Sequence, residues 1–236
     1  MTNAILMAAG RGTRISRTIN DYCKCTLDIG GIPLIRHTVE MFIANNVNVH
    51  IVVGYDKQRI FNALQGLSVT YYENVFYSIT NSLSSLWFAR EAIKGDMVIL
   101  GNADVYWEFE LLKYLFDNQN DNRMLCDSSR VEQGDYLFRT EQGRLLNFGK
   151  GNDCYGANCE YVGLASINGA MVPKFHERLA FMVQQQHHSD WWEQVLYSMV
   201  VEHPIWTTDI AGNFWAEIDY IEDYNRILEY RKGLNR

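Results

Sequence analysis

The sequence has no run of about eighteen apolar residues, the length that a membrane-spanning helix requires. It has no basic run either, and its formal net charge of −7 argues against a nucleic-acid partner. The apolar run at residues 5–9 is too short for the core of a secretion signal, and no charged segment precedes it. These absences predict a cytoplasmic protein that neither enters a membrane nor binds nucleic acid.

Cysteines are few, and their spacing does not suit a metal site. There are five of them, at positions 23, 25, 126, 154 and 159. The first two are too close together for ordinary zinc ligands, and the last two have no histidine partners nearby, so we predict free thiols. No internal repeat or linker divides the 236 residues, 47% of which are hydrophobic, so residues 1–236 are expected to form one domain.

Short apolar runs alternate with amphipathic stretches through the first half. We expect strands at 5–9, 49–53, 69–72 and 97–100, and helices at 33–44, 56–64 and from Ser82 or Ser84 to 93. This order predicts an α/β fold with a Rossmann-like, mostly parallel sheet flanked by helices. The rhythm then changes. Short strands at 123–127, 136–139 and 145–148 predict a small antiparallel layer, followed by helices at 173–186 and 190–201, a strand at 215–218 and a closing helix at 221–230.

The first strand passes directly into a loop rich in glycine and basic residues. Gly10 and Gly12 allow a tight turn that brings backbone N–H groups close to an anion. Arg14 and, further on, Lys24 add full positive charge. The spacing fits neither the Walker loop nor the dinucleotide fingerprint. The pattern indicates a loop that holds phosphates, with a purely structural strand-to-helix turn as the alternative.

The whole string, with Lys24 shortly after it, resembles the signature of nucleotidyltransferases that couple NTPs to phosphorylated acceptors. The residues that carry the resemblance are Met7, Ala8, Ala9, Gly10, Arg11, Gly12, Thr13 and Arg14. The resemblance implies a GT-A-like fold in which residues 7–13 bind the nucleotide and Lys24 and Arg14 are the catalytic cations. The lysine usually follows a proline in that family, whereas Cys23 stands there in this chain. Residues 1–120 would form the nucleotide-binding part and residues 121–236 the acceptor-binding part.

Two carboxylates follow predicted strands at the edge where α/β sheets bind ligands. Asp104 lies just past the strand at 97–100, and Asp219 lies just past the strand at 215–218. Two such carboxylates can share Mg²⁺, which prefers oxygen ligands and substrate phosphates. The family resemblance implies the same role for both, with Glu217 as a competing ligand. The alternative is that each aspartate merely forms a turn or caps a helix.

A second resemblance is narrower. The segment at 74–90, NVFYSITNSLSSLWFAR, is similar to the corresponding region of CTP:phosphocholine cytidylyltransferases and related enzymes for aminoethylphosphonate-type acceptors. Looser matches follow in order at 160–163, 191–193 and 217–219. The resemblance makes Asn81 and Ser84 candidates for reading the pyrimidine edge, since an amide offers both a donor and an acceptor. The alternative is that Asn81 caps the following helix.

The acceptor residues are also predicted from this resemblance. Lys150 would face the acceptor phosphate, unless it is an ordinary surface lysine. Aromatic faces bind ammonium groups, which makes candidates of Tyr136, Trp191 and Trp192. Glu160 or Glu193 would balance the charge, although Glu193 also stands where a capping box with Asp190 would place it.

Together these patterns predict a Mg²⁺-dependent cytidylyltransferase that joins CTP to a phosphocholine-like or aminoalkylphosphonate acceptor and releases pyrophosphate. A sugar-1-phosphate nucleotidyltransferase and a non-catalytic nucleotide-binding subunit are the alternatives. The sequence leaves open whether the chain forms a homodimer.

Overall fold

The computed structural model describes residues 1–12 and 22–234. Thr13, predicted to bind the nucleotide, and Arg14, predicted to be a catalytic cation, lie outside these residues. The elements of the first half are β1 (Thr2–Ala8), α1 (Leu34–Ala44), β2 (Val47–Val53), α2 (Lys57–Ala63), β3 (Val69–Glu73), α3 (Ser82–Phe88), β4 (Met97–Asn102), β5 (Val105–Trp107) and α4 (Phe109–Phe116).

The second half contains more strands than helices. Its elements are β6 (Arg123–Asp127), β7 (Tyr136–Glu141), β8 (Arg144–Lys150), β9 (Cys159–Asn168), α5 (Val172–Gln184), α6 (Gln194–Tyr197), β10 (Trp206–Asp209), β11 (Trp215–Glu217) and α7 (Ile221–Leu234). Single turns of 3₁₀ helix lie at Lys24–Thr26, Arg90–Ala92, Ser128–Arg130 and Gly151–Asp153. Among the described residues, no helix combines the length and apolarity that crossing a membrane requires.

A nine-stranded sheet, in the order β3-β2-β1-β4-β9-β6-β10-β8-β7, runs through the described residues. The strands β3, β2, β1 and β4 are parallel, as predicted from the alternation of strands and helices. The predicted α/β fold is therefore confirmed. In detail, the antiparallel strands β7 and β8 extend the far edge of this same sheet.

Strand β9 joins the two halves of the sheet. It pairs antiparallel with β4 on one side and with β6 on the other. No strand is predicted here from the sequence, and α4, β5 and β10 are not predicted either. All but the last residue of β9 are buried, so the strand shows no alternation of polar and apolar residues. Gly163 interrupts it at φ +84°, a conformation that favours glycine.

Helices cover both faces of the sheet. On one face, α1, α2 and α4 contribute apolar side chains such as Phe42, Ile60 and Leu112. On the other face, α3, α5 and α6 do the same, with Leu86 and Phe175 among them. Since β1 is buried on both faces, its carboxyl end opens only at the edge of the sheet, where the glycine loop begins.

A separate two-stranded sheet brings together residues that are far apart in the chain. Strands β5 and β11 are antiparallel, with Glu217 opposite Val105. Asp104 directly precedes β5 and Asp219 comes two residues after β11, so the pairing places both at the same end of the ribbon. The backbone N–H of Ile218 donates to the carbonyl of Asp104 at 3.0 Å, which fixes this register.

The five cysteines are all buried and free, as predicted. Cys23 and Cys25 lie on either side of Lys24, with their sulfur atoms 3.4 Å apart. Both pack into the apolar layer on the face covered by α1 and α2. They therefore anchor the segment that carries Lys24.

Candidate active site

A cavity of about 360 Å³ opens at the carboxyl ends of β1 and β4. One end is lined by the glycine loop and a group of charged side chains, and the other by aromatic rings. The residues discussed below that line it are Met7, Ala9, Gly10, Gly12, Lys24, Asn81, Asn102, Asp104, Asp135, Tyr136, Lys150, Glu160, Tyr161, Trp191, Glu193, Tyr197, Glu217 and Asp219. The cavity lies where ligands bind in open α/β sheets.

Lys24 and the two predicted metal-binding aspartates meet at the charged end. The Lys24 Nζ atom lies 2.6 Å from Oδ1 of Asp219 and 3.6 Å from Oδ2 of Asp104. Burial disfavours the charge of Lys24, but the two carboxylates outweigh it, so the pKa of Lys24 is raised above its ordinary value. The ammonium group is therefore fully charged at neutral pH.

The same end carries more negative than positive charge among the described residues. Burial raises the pKa of Asp104 and of Glu217, and the neighbouring carboxylates raise both further. Lys24 opposes these shifts but is one cation facing Asp104, Asp219 and Glu217. Such a cluster favours an added cation.

Gly12 shapes the position of Lys24. Its backbone has φ +62°, and a Cβ atom placed on it would lie 2.8 Å from Cγ of Lys24. The glycine therefore lets the loop lie flat against the lysine stem. Cys23, at the position where the family resemblance implies a proline, is buried next to Lys24 in the chain.

The predicted nucleotide-binding residues divide between the cavity and the core. Met7, Ala9, Gly10 and Gly12 line the cavity, Met7 from the end of β1 and the other three from the loop that follows it. Ala8 points to the opposite face and packs in the core, so its side chain is not a binding group. Arg11 does not line the cavity either. Its guanidinium lies 5.4 Å from the ring centre of Tyr55, at the rim of the loop.

Asn81 and Ser84 have separate roles in the structure. Asn81 lines the cavity, but its Oδ1 atom accepts the backbone N–H of Ser82 at 2.8 Å and caps α3. Its NH₂ group remains the polar end available to a ligand. Ser84 lies outside the cavity lining, and its hydroxyl donates to the carbonyl of His188 at 3.0 Å. The prediction that Ser84 reads the base is therefore wrong for this structure.

The aromatic end contains Tyr136 and Trp191, two of the residues that the sequence analysis predicted to contact the acceptor. Their rings meet edge to face with centres 5.7 Å apart, and Trp191 is 38% exposed. Tyr136 also stacks on Tyr197, which the sequence analysis missed because nothing in the local sequence marks it. Lys150 lies 4.8 Å from the centre of the Trp191 ring and pairs with Asp135 at 2.9 Å.

Trp192 does not belong to the cavity. Its side chain is fully buried, and its indole Nε1 donates to Oδ1 of Asn102 at 2.8 Å. The backbone N–H of Trp192 donates to the hydroxyl of Ser82, which ties the segment to α3. The predicted contact of Trp192 with an acceptor is therefore wrong. Of the two adjacent tryptophans, Trp192 belongs to the core, and Trp191 is the one with an exposed ring.

Glu160 lines the cavity, but its charge is already balanced. Arg130 donates to its Oε2 at 2.8 Å, and the backbone N–H of Asp135 donates to Oε1 at 3.1 Å. Glu193, its competitor in the sequence analysis, has no basic partner within salt-bridge distance among the described residues. It accepts one long hydrogen bond of 3.4 Å from Asn102, and burial raises its pKa to about 7.

Replacing Glu193 by glutamine is expected to stabilise the protein at alkaline pH. The folded pKa of about 7 lies above the ordinary value of 4.5, so the folded state binds more protons than the unfolded chain between these values. Wild-type stability therefore falls as the pH rises through this window. Glutamine carries no charge. The free energy of unfolding of Glu193→Gln should therefore exceed that of the wild type by about 1 kcal/mol near pH 5 and by about 3 kcal/mol near pH 8.

Urea unfolding at both pH values measures this difference. Glu141→Gln, at an exposed position, is the matched control and should show no pH-dependent gain. An equal effect of Glu193→Gln at the two pH values would contradict the raised pKa.

The charged end suits Mg²⁺ bound together with a nucleotide. Within residues 1–12 and 22–234, no three acidic, histidine or cysteine side chains converge to hold a metal by themselves. Asp104 and Asp219 do converge on one cation, the ammonium of Lys24. Mg²⁺ is commonly held by one or two carboxylates, with substrate phosphates and water completing its ligands. The residues present therefore fit this ion.

The chain is similar in sequence to two nucleotidyltransferases of known activity. It is 23% identical to choline-phosphate cytidylyltransferase of Streptococcus pneumoniae, over 98% of this chain and 99% of that protein. It is 26% identical to 2-aminoethylphosphonate cytidylyltransferase of Lancefieldella rimae, over 94% of this chain and 90% of that protein.

Solved structures show the same fold. The CTP:phosphocholine cytidylyltransferase of S. pneumoniae superposes with a TM-score of 0.80 at 17% identity, over 98% of this chain and 99% of the other. The inositol-1-phosphate CTP transferase of T. maritima gives 0.77 at 18% identity, over 99% and 97%. Residues 4–152 match the MobA-like NTP transferase domain. This match spans more than half of the chain. The chain therefore belongs to the MobA-like NTP transferase domain family and is a nucleotidyltransferase.

Proposed function

We propose that the chain is a Mg²⁺-dependent cytidylyltransferase that joins CTP to a small acceptor with a phosphate or phosphonate at one end and an amine at the other. The observation that carries the proposal is one cavity with a Lys24–Asp104–Asp219 cluster at one end and an aromatic group at the other. The two relatives act, by their names, on choline phosphate and 2-aminoethylphosphonate.

In the proposed reaction an acceptor oxygen attacks the α-phosphorus of CTP in line. A phosphorus–oxygen bond forms there, the bond from the α-phosphorus to the β-bridging oxygen breaks, and pyrophosphate leaves. The protein needs no nucleophile of its own, since positioning and charge stabilisation supply the catalysis. Asp104 and Asp219 would hold Mg²⁺, which would supply positive charge to neutralise the phosphates.

Lys24 would place its ammonium against the phosphate oxygens that gain charge. Its buried stem, covered by Gly12, limits where the charge can go. Arg14, from the family resemblance, would add a second cation. Lys150 and the faces of Trp191 and Tyr136 would hold the acceptor, with Lys150 toward the anionic end and the rings toward the amine.

CTP is expected to be the preferred nucleotide, with UTP the nearest competitor. Because Asn81 uses its oxygen to cap α3, its NH₂ group is the end that can donate to a base. Both pyrimidines carry an acceptor at O2 that suits this donor, and the choice of CTP over UTP rests on the relatives, which are named as cytidylyltransferases. Pyrophosphate release measured with four NTPs and a panel of acceptors tests both this preference and the activity itself.

Asn81→Ser is the matched variant for the base contact. Serine can still cap a helix, so the fold is kept while the amide is lost. We expect kcat/KM for CTP to fall by about tenfold, the usual loss for one hydrogen bond of roughly 1.4 kcal/mol. A wild-type preference for ATP or GTP would contradict the pyrimidine assignment.

A sugar-1-phosphate nucleotidyltransferase is the second candidate, because this fold also occurs in a UDP-glucose pyrophosphorylase with a TM-score of 0.78. The aromatic end of the cavity argues against a neutral sugar. Turnover of sugar phosphates in preference to aminated phosphates would favour this candidate. A regulatory subunit without turnover is disfavoured by the complete set of Lys24, Asp104 and Asp219.

A further inference from the structure

The cavity lining contains buried polar groups with fewer partners than buried groups normally have, among them the hydroxyl of Tyr197. The hydroxyl of Tyr161 is buried and makes no hydrogen bond within the described part of the chain. The carboxyl of Glu193 accepts a long bond from Asn102 and a contact from its own backbone N–H, and it has no basic partner among the described residues. Both residues line the cavity between its charged and aromatic ends. Since buried polar groups are almost always satisfied, each is expected to meet a ligand.

The two groups lie close enough to act on each other. After burial, the charge of Glu193 is the largest cause of the raised pKa of Tyr161. The same charge also raises the pKa of Tyr136 and of Tyr197, whose rings stack on each other. Glu193 therefore acts electrostatically on three tyrosines of the cavity lining, and the hydroxyl of one of them, Tyr161, has no partner among the described residues.

Most other acidic groups of the cavity are paired. Glu160 binds Arg130, Asp135 binds Lys150, and Asp104 and Asp219 pair with Lys24. Glu217 lies outside these ion pairs but is next to Asp104, Asp219 and Lys24 in the charged group. Glu193 is the lining carboxyl outside both these pairs and that group among the described residues. A cation brought by the ligand would meet its charge here.

We propose that this part of the cavity binds a primary ammonium group and discriminates against a trimethylammonium group. The proposal rests on the proposed function, whose acceptor carries the amine. A primary ammonium has three N–H donors, which can reach the carboxylate of Glu193 and the oxygen of Tyr161. A trimethylammonium has no N–H donor, so both groups would stay unsatisfied in its complex. The rings of Trp191 and Tyr136 attract either cation and do not discriminate between them.

The test compares two acceptors that differ only in three methyl groups. Steady-state kcat/KM is measured with saturating CTP for phosphoethanolamine and for phosphocholine. We expect the primary amine to be preferred by about tenfold to a hundredfold, as for sites whose polar groups lose a substrate donor. Equal rates, or a preference for phosphocholine, would overturn this inference and leave cytidylyl transfer intact. Absence of pyrophosphate release with every acceptor would instead overturn the proposed function.

Two variants identify the groups responsible. Tyr161→Phe removes only the hydroxyl and should lower kcat/KM for phosphoethanolamine while leaving that for phosphocholine unchanged or higher. Glu193→Gln should reduce the preference further, because the charge is lost. The control Tyr155→Phe lies at an 84% exposed position outside the cavity lining and should leave the ratio unchanged. Equal losses for both acceptors in Tyr161→Phe would show a structural role and contradict the inference.

Discussion

Replacing Lys24 by alanine is expected to lower kcat by about 100- to 1,000-fold. The ammonium is fixed by Asp104 and Asp219 at the charged end of the cavity, and its stem is buried under the glycine loop. A preorganised charge of this kind contributes roughly 3–4 kcal/mol when charge develops on the reacting oxygens. The loss should appear in kcat, because the developing charge exists mainly in the transition state.

The measurement is pyrophosphate release by a variant shown to be folded by circular dichroism. Lys57→Ala is a matched control, since Lys57 is a half-exposed lysine that pairs with Glu73 away from the cavity. It should keep normal turnover. A folded Lys24→Ala protein with wild-type kcat would remove Lys24 from the catalytic assignment.

The second large effect concerns the carboxylates. Asp104→Asn and Asp219→Asn should each raise the Mg²⁺ concentration for half-maximal activity by at least about tenfold. A neutral amide is a poorer ligand for a hard cation, and even indirect support of a metal site is worth 10- to 100-fold. Part of the activity should return at high Mg²⁺, which separates a ligand from a residue needed for folding.

Titration with Mn²⁺ in the presence of CTP, followed by electron paramagnetic resonance, gives a readout independent of turnover. Asp117→Asn changes an exposed aspartate at the end of α4. It should leave unchanged both the Mg²⁺ dependence of activity and the Mn²⁺ titration. Glu217→Gln is the informative competitor, because the partly buried Glu217 interacts with both aspartates. If it alone raises the Mg²⁺ requirement, the second ligand is Glu217.

Whether a carboxylate is free to bind the acceptor depends on whether the fold already gives it a basic partner. Glu160 and Glu193 look equivalent in the sequence, each beside aromatic residues. The fold places Arg130 against Glu160 and leaves Glu193 without a basic partner among the described residues. The arginine lies thirty residues away from Glu160 in the chain, so no local pattern could have indicated the pair.

The sequence by itself determined the parts of the site that depend on local chemistry. The apolar strand, the glycines after it and the nearby Lys24 predict a phosphate loop, because backbone freedom and charge are properties of single residues. The alternation of strands and helices predicted the parallel half of the sheet, because a helix between two strands lets the second strand run parallel to the first. Asp104 and Asp219 were placed at strand ends by hydrophobic pattern alone.

Only the tertiary structure decided which of several similar residues reach the cavity. Strand β9 lies between two neighbours and is buried almost throughout, so its sequence has no alternation to reveal it. Trp191 and Trp192 are adjacent and identical, and packing against α3 and Asn102 buries one and exposes the other. Burial and pairing are set by contacts between distant segments, and the antiparallel register of β5 and β11 is what brings Asp104 to Asp219.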